Sequence, residues 1–171
     1  MYIYYTKEGK FETKNPGDIR PFKRLHRENG PALIFPNGHK QWWINGERHR
    51  TDGPAVEWKD GSKEWWINGK LHRLDDFAIE YKRGIKEWRI NGKRHRENGP
   101  AIERKNGVKE WYKNGKRHRL DGPAILSSTV DSTWIINGKI LNTDEVEKWI
   151  KENNINLKAK SGQTMFMLRF G

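Results

Sequence analysis

The stretch His49-Arg50-Thr51-Asp52-Gly53-Pro54-Ala55-Val56-Glu57-Trp58-Lys59-Asp60-Gly61-Ser62-Lys63-Glu64-Trp65-Trp66-Ile67-Asn68-Gly69-Lys70-Leu71 decides the fold, because it is one of five degraded but recognisable copies. His26, His49, His72, His95 and His118 open the copies at intervals of 23 residues without an insertion. A fixed period of this length marks a stacked repeat array. Counting His as position 1, the copy reads Gly-Pro at positions 5 and 6, a short strand, Asp-Gly, a second strand and Asn-Gly. Asn-Gly and Asp-Gly between alternating apolar and polar residues are strong hairpin signals, because both central residues of a type I′ turn need positive φ. Each copy is therefore expected to be a hairpin, and the next hairpin to add to its edge.

Working outward, residues 1–25 read as an N-terminal cap: a hairpin of Tyr2 to Thr6 and Lys10 to Thr13, then a connector broken by Asn15-Pro16-Gly17-Asp18 and Pro21. Residues 26–140 are the five repeats. Residues 141–171 change period: Asn142-Thr143-Asp144-Glu145 supplies a cap and first-turn acids, and Val146, Trp149 and Ile150 share one helical face. This helix is expected to cover the apolar end of the last hairpin. Thr164 to Phe170 reads as a terminal strand whose free edge would pair two copies of the chain. The expected fold class is thus all-β, an elongated single-layer array of five 23-residue β-hairpin repeats with a C-terminal capping helix.

Composition agrees with a thin fold. The 171 residues are 33% hydrophobic with a mean hydropathy of −1.07, too polar for a thick core, yet nine tryptophans argue against disorder. The chain lacks cysteine, a signal-peptide layout and any apolar run long enough to span a bilayer, so a cytoplasmic protein is expected. Residues 26–140 hold 23 Lys and Arg against 15 Asp and Glu, so the repeats hold +8 of the +12 net charge.

Strand alternation assigns faces. Position 8 is always aliphatic (Leu33, Val56, Ile79, Ile102, Ile125) and position 17 is always Trp (Trp42, Trp65, Trp88, Trp111, Trp134), so these two columns are expected to form the spine. Replacing Trp65 or Trp111 by Ala should cost about 3–5 kcal/mol and Trp66→Ala much less. Position 18 (Trp43, Trp66, Arg89, Tyr112, Ile135) and position 10 (Phe35, Trp58, Tyr81, Arg104, Ser127) drift. They either line a ligand groove where stacking and cation–π contacts operate or form a second hydrophobic face. In copy three, Asp76-Phe77 replaces Gly-Pro, and Asp can take the left-handed conformation that would preserve the turn.

The pattern Trp-x-x-Asn-Gly-Lys-x-His, followed by Gly, a strand, Asp-Gly and the next Trp, resembles a MORN-type repeat, in particular the variant copies of YwqK-like antitoxin proteins and of phage and large-virus proteins. The resemblance covers residues 26–140. It implies stacked hairpins in a scaffold that dimerises or binds acidic phospholipids and protein partners. Here the family's His-Gly-x-Gly is His-Arg-x-Asp/Asn-Gly-Pro, as at His95-Arg96-Glu97-Asn98-Gly99-Pro100.

The Arg column (Arg27, Arg50, Arg73, Arg96, Arg119) either shapes the turns with the Asp or Asn two residues on or contacts an anionic ligand. Histidines about 9.6 Å apart cannot share one metal ion, and no nucleophile or phosphate-cradling loop is present, so neither metal, cofactor nor catalytic residue is expected. The candidate binding residues are the five arginines with His49, His72, His95, Trp43, Trp58, Trp66 and Tyr112. The functional expectation is a non-enzymatic interaction protein that engages an acidic protein partner, in a phage-like protein a host or defence factor. The alternative is a binder of nucleic acid, nucleotide or another anion such as the headgroups of an acidic membrane.

Overall fold

A computed structural model describes residues 1–19, 24–128 and 131–171. Pro21 of the connector and the Thr129-Val130 turn of the last copy lie outside these residues. The molecule is an all-β repeat array with helices at its C-terminus. Its contacts divide the chain into two compact units, Met1–Gly92 and Lys93–Gly171.

In the first unit, Tyr2–Thr6 pairs with Gly9–Thr13 as the expected hairpin, and Leu33–Ile34 adds to its other side. The antiparallel sheet continues through Lys40–Gln41, Val56–Glu57, Lys63–Glu64, Ile79–Tyr81 and Ile85–Glu87. The connector forms a 3-10 turn, Pro16–Ile19, whose Ile19 packs with Leu25, Leu33 and Trp43. In the second unit, Ile102–Arg104, Lys109–Glu110 and Ile125–Leu126 pair in the same way.

Each copy carries a second, two-stranded ladder closed by its Asn-Gly pair, as in Trp66–Ile67 with Lys70–Leu71 and Tyr112–Lys113 with Lys116–Arg117. Asn45, Asn68, Asn91, Asn114 and Asn137 all have φ between 47° and 53°, and the glycine after each is also positive, as a type I′ turn requires. The other turn differs from the sequence expectation. Only its glycine is left-handed (Gly38 φ 87°, Gly61 φ 89°), and the Gly38 and Gly61 N–H groups donate to the carbonyls of Phe35 and Trp58 three residues back. A single left-handed residue after a right-handed turn needs Gly at one position alone, which is why Asn, Asp and Arg all serve before it. In copy three, Asp76 does not use the left-handed region. Its carboxylate instead accepts the Phe77 N–H at 2.8 Å and an Arg73 bond at 3.2 Å, which holds the turn without Gly-Pro.

The chain leaves the main sheet at the position-17 Trp, and this corner splits the expected spine: Leu33, Val56, Ile79 and Ile102 at position 8 are buried as expected, but the tryptophans do not join them. Val56 pairs across the hairpin with Glu64, so position 8 shares a face with positions 16 and 18, and position 17 lies on the other face. Position 18 is accordingly inside where it closes a cluster: Trp43 is 9% exposed beside Leu33, and Tyr112 is 6% exposed. The position-17 tryptophans Trp42, Trp65, Trp88 and Trp111 are half-buried, and Trp134 is fully buried under the C-terminal cap. The most buried column is one the sequence reading passed over: Ala32, Ala55, Ala78, Ala101 and Ala124 are all at 0% exposure. Their carbonyls accept the N–H of the preceding corner residue (Tyr5, Trp42, Trp65 and Trp111 at 2.8–2.9 Å), a close approach that leaves room for a methyl group.

The C-terminal cap contains the expected helix, α1 (Thr143–Glu152), with Asn142 Oδ1 accepting the Glu145 N–H at 2.9 Å and Val146, Trp149 and Ile150 turned inward. The expected terminal strand is instead a second helix, α2 (Lys160–Phe170). Met and Leu are good helix formers, and helical spacing puts Gly162, Phe166 and Phe170 on one face. Phe166 meets Trp134 and Phe170 meets Trp149 edge-on, and these ring contacts seat the helix on the cap. The pairing edge expected at residues 164–170 does not exist.

The alanine column sets the first test. Ala55→Leu or Ala101→Leu should lower stability by about 1–3 kcal/mol through overpacking, whereas Lys63→Leu on the exposed neighbouring strand should change the thermal midpoint little.

Candidate functional site

The Arg column is positioned by the corner tryptophans. The N–H groups of His49, His72 and His118 donate to the carbonyls of the preceding Trp42, Trp65 and Trp111, and that of His26 to Tyr5, at 3.0–3.1 Å, so the following Arg falls across that ring. The Arg50, Arg73 and Arg119 guanidinium carbons lie 4.1, 4.2 and 3.8 Å from the ring centroids of Trp42, Trp65 and Trp111, and Arg27 lies 3.8 Å from that of Tyr5. Nη1 of every column member then donates to the carbonyl at position 6: Pro31, Pro54, Phe77, Pro100 and Pro123, at 3.1–3.3 Å. In two copies with Asp at position 4, Nε adds a carboxylate bond, 2.9 Å from Arg50 to Asp52 and 2.7 Å from Arg119 to Asp121, while Arg73 Nε lies 3.6 Å from Asp75. Burial would raise the Asp121 carboxyl, but bonds from Arg119 and Lys158 hold it below the usual range. The arginines therefore shape the turns, and they also form the walls of shallow recesses.

One such recess, about 480 Å³, lies between two copies of the first unit and is lined by Arg27, Asn29, Trp42, His49, Arg50 and Asp52. Its counterpart in the second unit, about 500 Å³, is lined by Arg96, Trp111, Tyr112, His118 and Arg119, and α2 contributes Gln163. The structure thus gathers Arg27, His49 and Arg50 with Trp42, and Arg96, His118 and Arg119 with Trp111. It keeps Trp58 apart from them.

The histidines cap the Asn-Gly turns. Nδ1 of His26, His49, His72, His95 and His118 accepts the backbone N–H of Asn45, Asn68, Asn91, Asn114 and Asn137 at 3.1–3.3 Å. Burial, seconded by nearby Lys113, lowers the basicity of His118. His39, a position-14 residue, is likewise lowered by burial and then by Arg48. Its imidazole is sandwiched between Phe35 at 4.3 Å and Trp58 at 4.1 Å. Among the described residues, no group of three or more His, Cys, Asp or Glu side chains is arranged to hold a metal ion.

The variable aromatic positions are largely consumed by an interior polar row that the sequence reading missed. Gln41, Glu64, Glu87 and Glu110 at position 16 are buried, and the position-18 side chains satisfy them: Trp43 Nε1 to Gln41, Trp66 Nε1 to Glu64, Arg89 Nε to Glu87 and Tyr112 OH to Glu110, at 2.9–3.0 Å. Arg48 inserts between the rings of Trp43 and Trp66, at 5.2 and 4.9 Å. Tyr81 donates to Glu64, and burial with that carboxylate pushes its hydroxyl up to about 12. Burial would raise Glu110, but Arg104, Arg117 and Tyr112 outweigh it and hold the carboxyl below its ordinary value. The Gln/Glu column at position 16 of the first four copies was the available signal, since the hairpin register sets it opposite the aliphatic position 8. Trp58, by contrast, is 41% exposed.

Compared with models of known protein families the chain matches none, and no curated protein matches it either.

The two depressed histidines fix a pH dependence. The unfolded chain takes up these protons near pH 6.5 and the folded chain only below that, so their stabilisation is complete above about 6.5 and is lost as pH falls toward the folded values. Thermal melts between pH 8 and 5 should show a falling midpoint, and the fall should be smaller in His39→Phe and in His118→Gln.

Proposed function

We propose that the chain is a non-enzymatic, MORN-like interaction protein whose basic surface engages an acidic protein partner. The observation that carries this reading is the unequal fate of the charges. Glu64, Glu87 and Glu110 are buried and satisfied inside the repeats, whereas the lysines at position 22 (Lys70, Lys93, Lys116, Lys139) all stand exposed. Opposite Lys70, Lys116 and Lys139 on the small ladders are Ile67, Lys113 and Ile136, none of them an acid. Exposed ammonium groups with no carboxylate directly opposite them create the field that draws acidic surfaces together and sets association rates.

The reading through nucleic acid, nucleotide or acidic headgroups uses the same charge. Single-strand binding also needs open aromatic platforms, and Trp43, Trp66 and Tyr112 are engaged with Gln41, Glu64, Glu110 and the intercalated arginines. This favours the protein partner. Within that reading, a cytoplasmic, phage-like protein acting on a host or defence factor is the setting we propose.

The test is capture from a cell lysate, with and without nuclease, by the chain and by a Lys93→Glu, Lys116→Glu, Lys139→Glu variant. All three positions are exposed, so the variant should melt within a few degrees of the parent and lose capture. Captured protein should survive nuclease and dissociate as salt rises through roughly 0.15–0.5 M. Capture that disappears with nuclease, or a variant that captures as well as the parent, defeats the proposal.

A further inference from the structure

The five column arginines are not equally neutralised. Arg50 meets Asp52 at 2.9 Å and Glu57 at 3.1 Å, Arg73 meets Asp76 at 3.2 Å and Asp75 at 3.6 Å, Arg96 meets Glu103 at 3.3 Å, and Arg119 meets Asp121 at 2.7 Å. Arg27 is built into its copy in the same way, stacked on Tyr5 with Nη1 on the Pro31 carbonyl at 3.2 Å. Yet position 4 of its copy is Asn29 and position 9 is Ile34, and among the described residues no carboxylate reaches it. The repeats act as internal controls: at Arg50 the two places are filled by Asp52 on Nε and Glu57 on Nη1, and at Arg27 neither is.

The surroundings of Arg27 fit an incoming anion. It borders a recess of about 710 Å³ shared with Lys7, Gly9, Lys10, His26 and Asn45. Lys10 is tied to Glu12 at 2.7 Å, which leaves Arg27 and Lys7 as the cations of this recess without a carboxylate partner among the described residues. Glu28 is the acid of the lining, and its side chain is 78% exposed, turned toward His26 Nε2 at 3.9 Å. A guanidinium held over a ring and bonded to a carbonyl has already lost much of its rotamer freedom, so it presents its remaining N–H donors to a carboxylate at low ordering cost.

We propose that Arg27 receives an Asp or Glu side chain of the acidic partner, in the place that Asp52 and Glu57 take against Arg50. This rests on the acidic-partner reading and gives it a specific anchor. The chain supplies its own template for the ligand, a carboxylate bonded to an arginine whose other face lies on an aromatic ring.

The template also supplies the test. The full chain is titrated with the blocked peptide acetyl-Asp-Glu-Asp-amide while the arginine Nε–H signals are followed by NMR, that of Arg27 being assigned by its absence in Arg27→Lys. The Arg27 signal should move saturably and those of Arg50 and Arg119 should not. Asn29→Asp, which installs the residue found at 52, 75 and 121, should weaken the response roughly tenfold or more. Asp52→Asn combined with Glu57→Ile, which copies the Arg27 environment, should make Arg50 respond. An unresponsive Arg27, an Asn29→Asp chain that titrates like the parent, or sodium phosphate that moves the Arg27 signal at equal or lower concentration would each overturn the assignment. Should the lysine variant lose capture while Arg27 stays unresponsive, the acidic-partner reading stands and this anchor falls.

Discussion

The stack of an arginine on the preceding copy's corner tryptophan is the contact on which the repeats depend. At that corner the Trp N–H donates to the alanine carbonyl of the next copy, and its carbonyl accepts the next histidine N–H, so both backbone groups are spent across the junction. The ring is then covered by the next arginine, as in Trp42 under Arg50 and Trp111 under Arg119. Half-buried tryptophan thus stabilises the junction by apolar burial and by cation–π attraction together. A stack of this kind fixes the arginine as firmly as it fixes the ring. This is why position 2 is invariant while the residue two places on alternates between Asn and Asp: the stack and the carbonyl bond recur in the copies, and the carboxylate is an addition.

The fold was legible in the sequence wherever backbone geometry makes one demand per repeat. Asn-Gly at positions 20 and 21 needs two left-handed residues, and all five Asn residues show them. The helix after Asn142 was legible for the same local reason, an acceptor side chain ahead of an apolar stripe of period 3.6. What the sequence reading misplaced depended on register across a turn. Assigning Trp65 and Val56 to one face needed the loop length between them, and the pairing of Val56 with Glu64 puts Trp66 there instead. The alanine column escaped notice because a small residue signals a close backbone approach only once the approaching strand is known. The strand expected over residues 164–170 failed for a related reason: a short apolar run carries no period that separates strand from helix, and the Trp134 and Trp149 rings decided the matter.

The candidate site was legible as columns and illegible as chemistry. The recesses do bring Arg27, His49, Arg50 and Trp42 together, as uniform spacing suggested. Spacing says nothing of what else a side chain touches. Tyr112 and Trp66, large and variable, looked like open ligand contacts, yet their polar atoms are bonded to Glu110 and Glu64. The buried glutamates explain the variability. Trp, Arg and Tyr at position 18 share one property, an N–H or O–H able to reach a carboxylate two residues back on the same face, and the position selects for that donor and not for ring shape.

The same row of glutamates governs the charge that is left outside. A carboxylate enclosed by Arg104, Arg117 and Tyr112 costs little to bury because each oxygen is bonded, and it no longer offsets a lysine on the surface. In a chain with 34 basic and 22 acidic residues, such pairing inside the repeats leaves the basic excess to the exposed lysines. That imbalance is built into the repeat unit: the acid at position 16 faces inward and the lysine at position 22 faces outward, so each added copy of this pattern extends the exposed charge while keeping its own interior neutral.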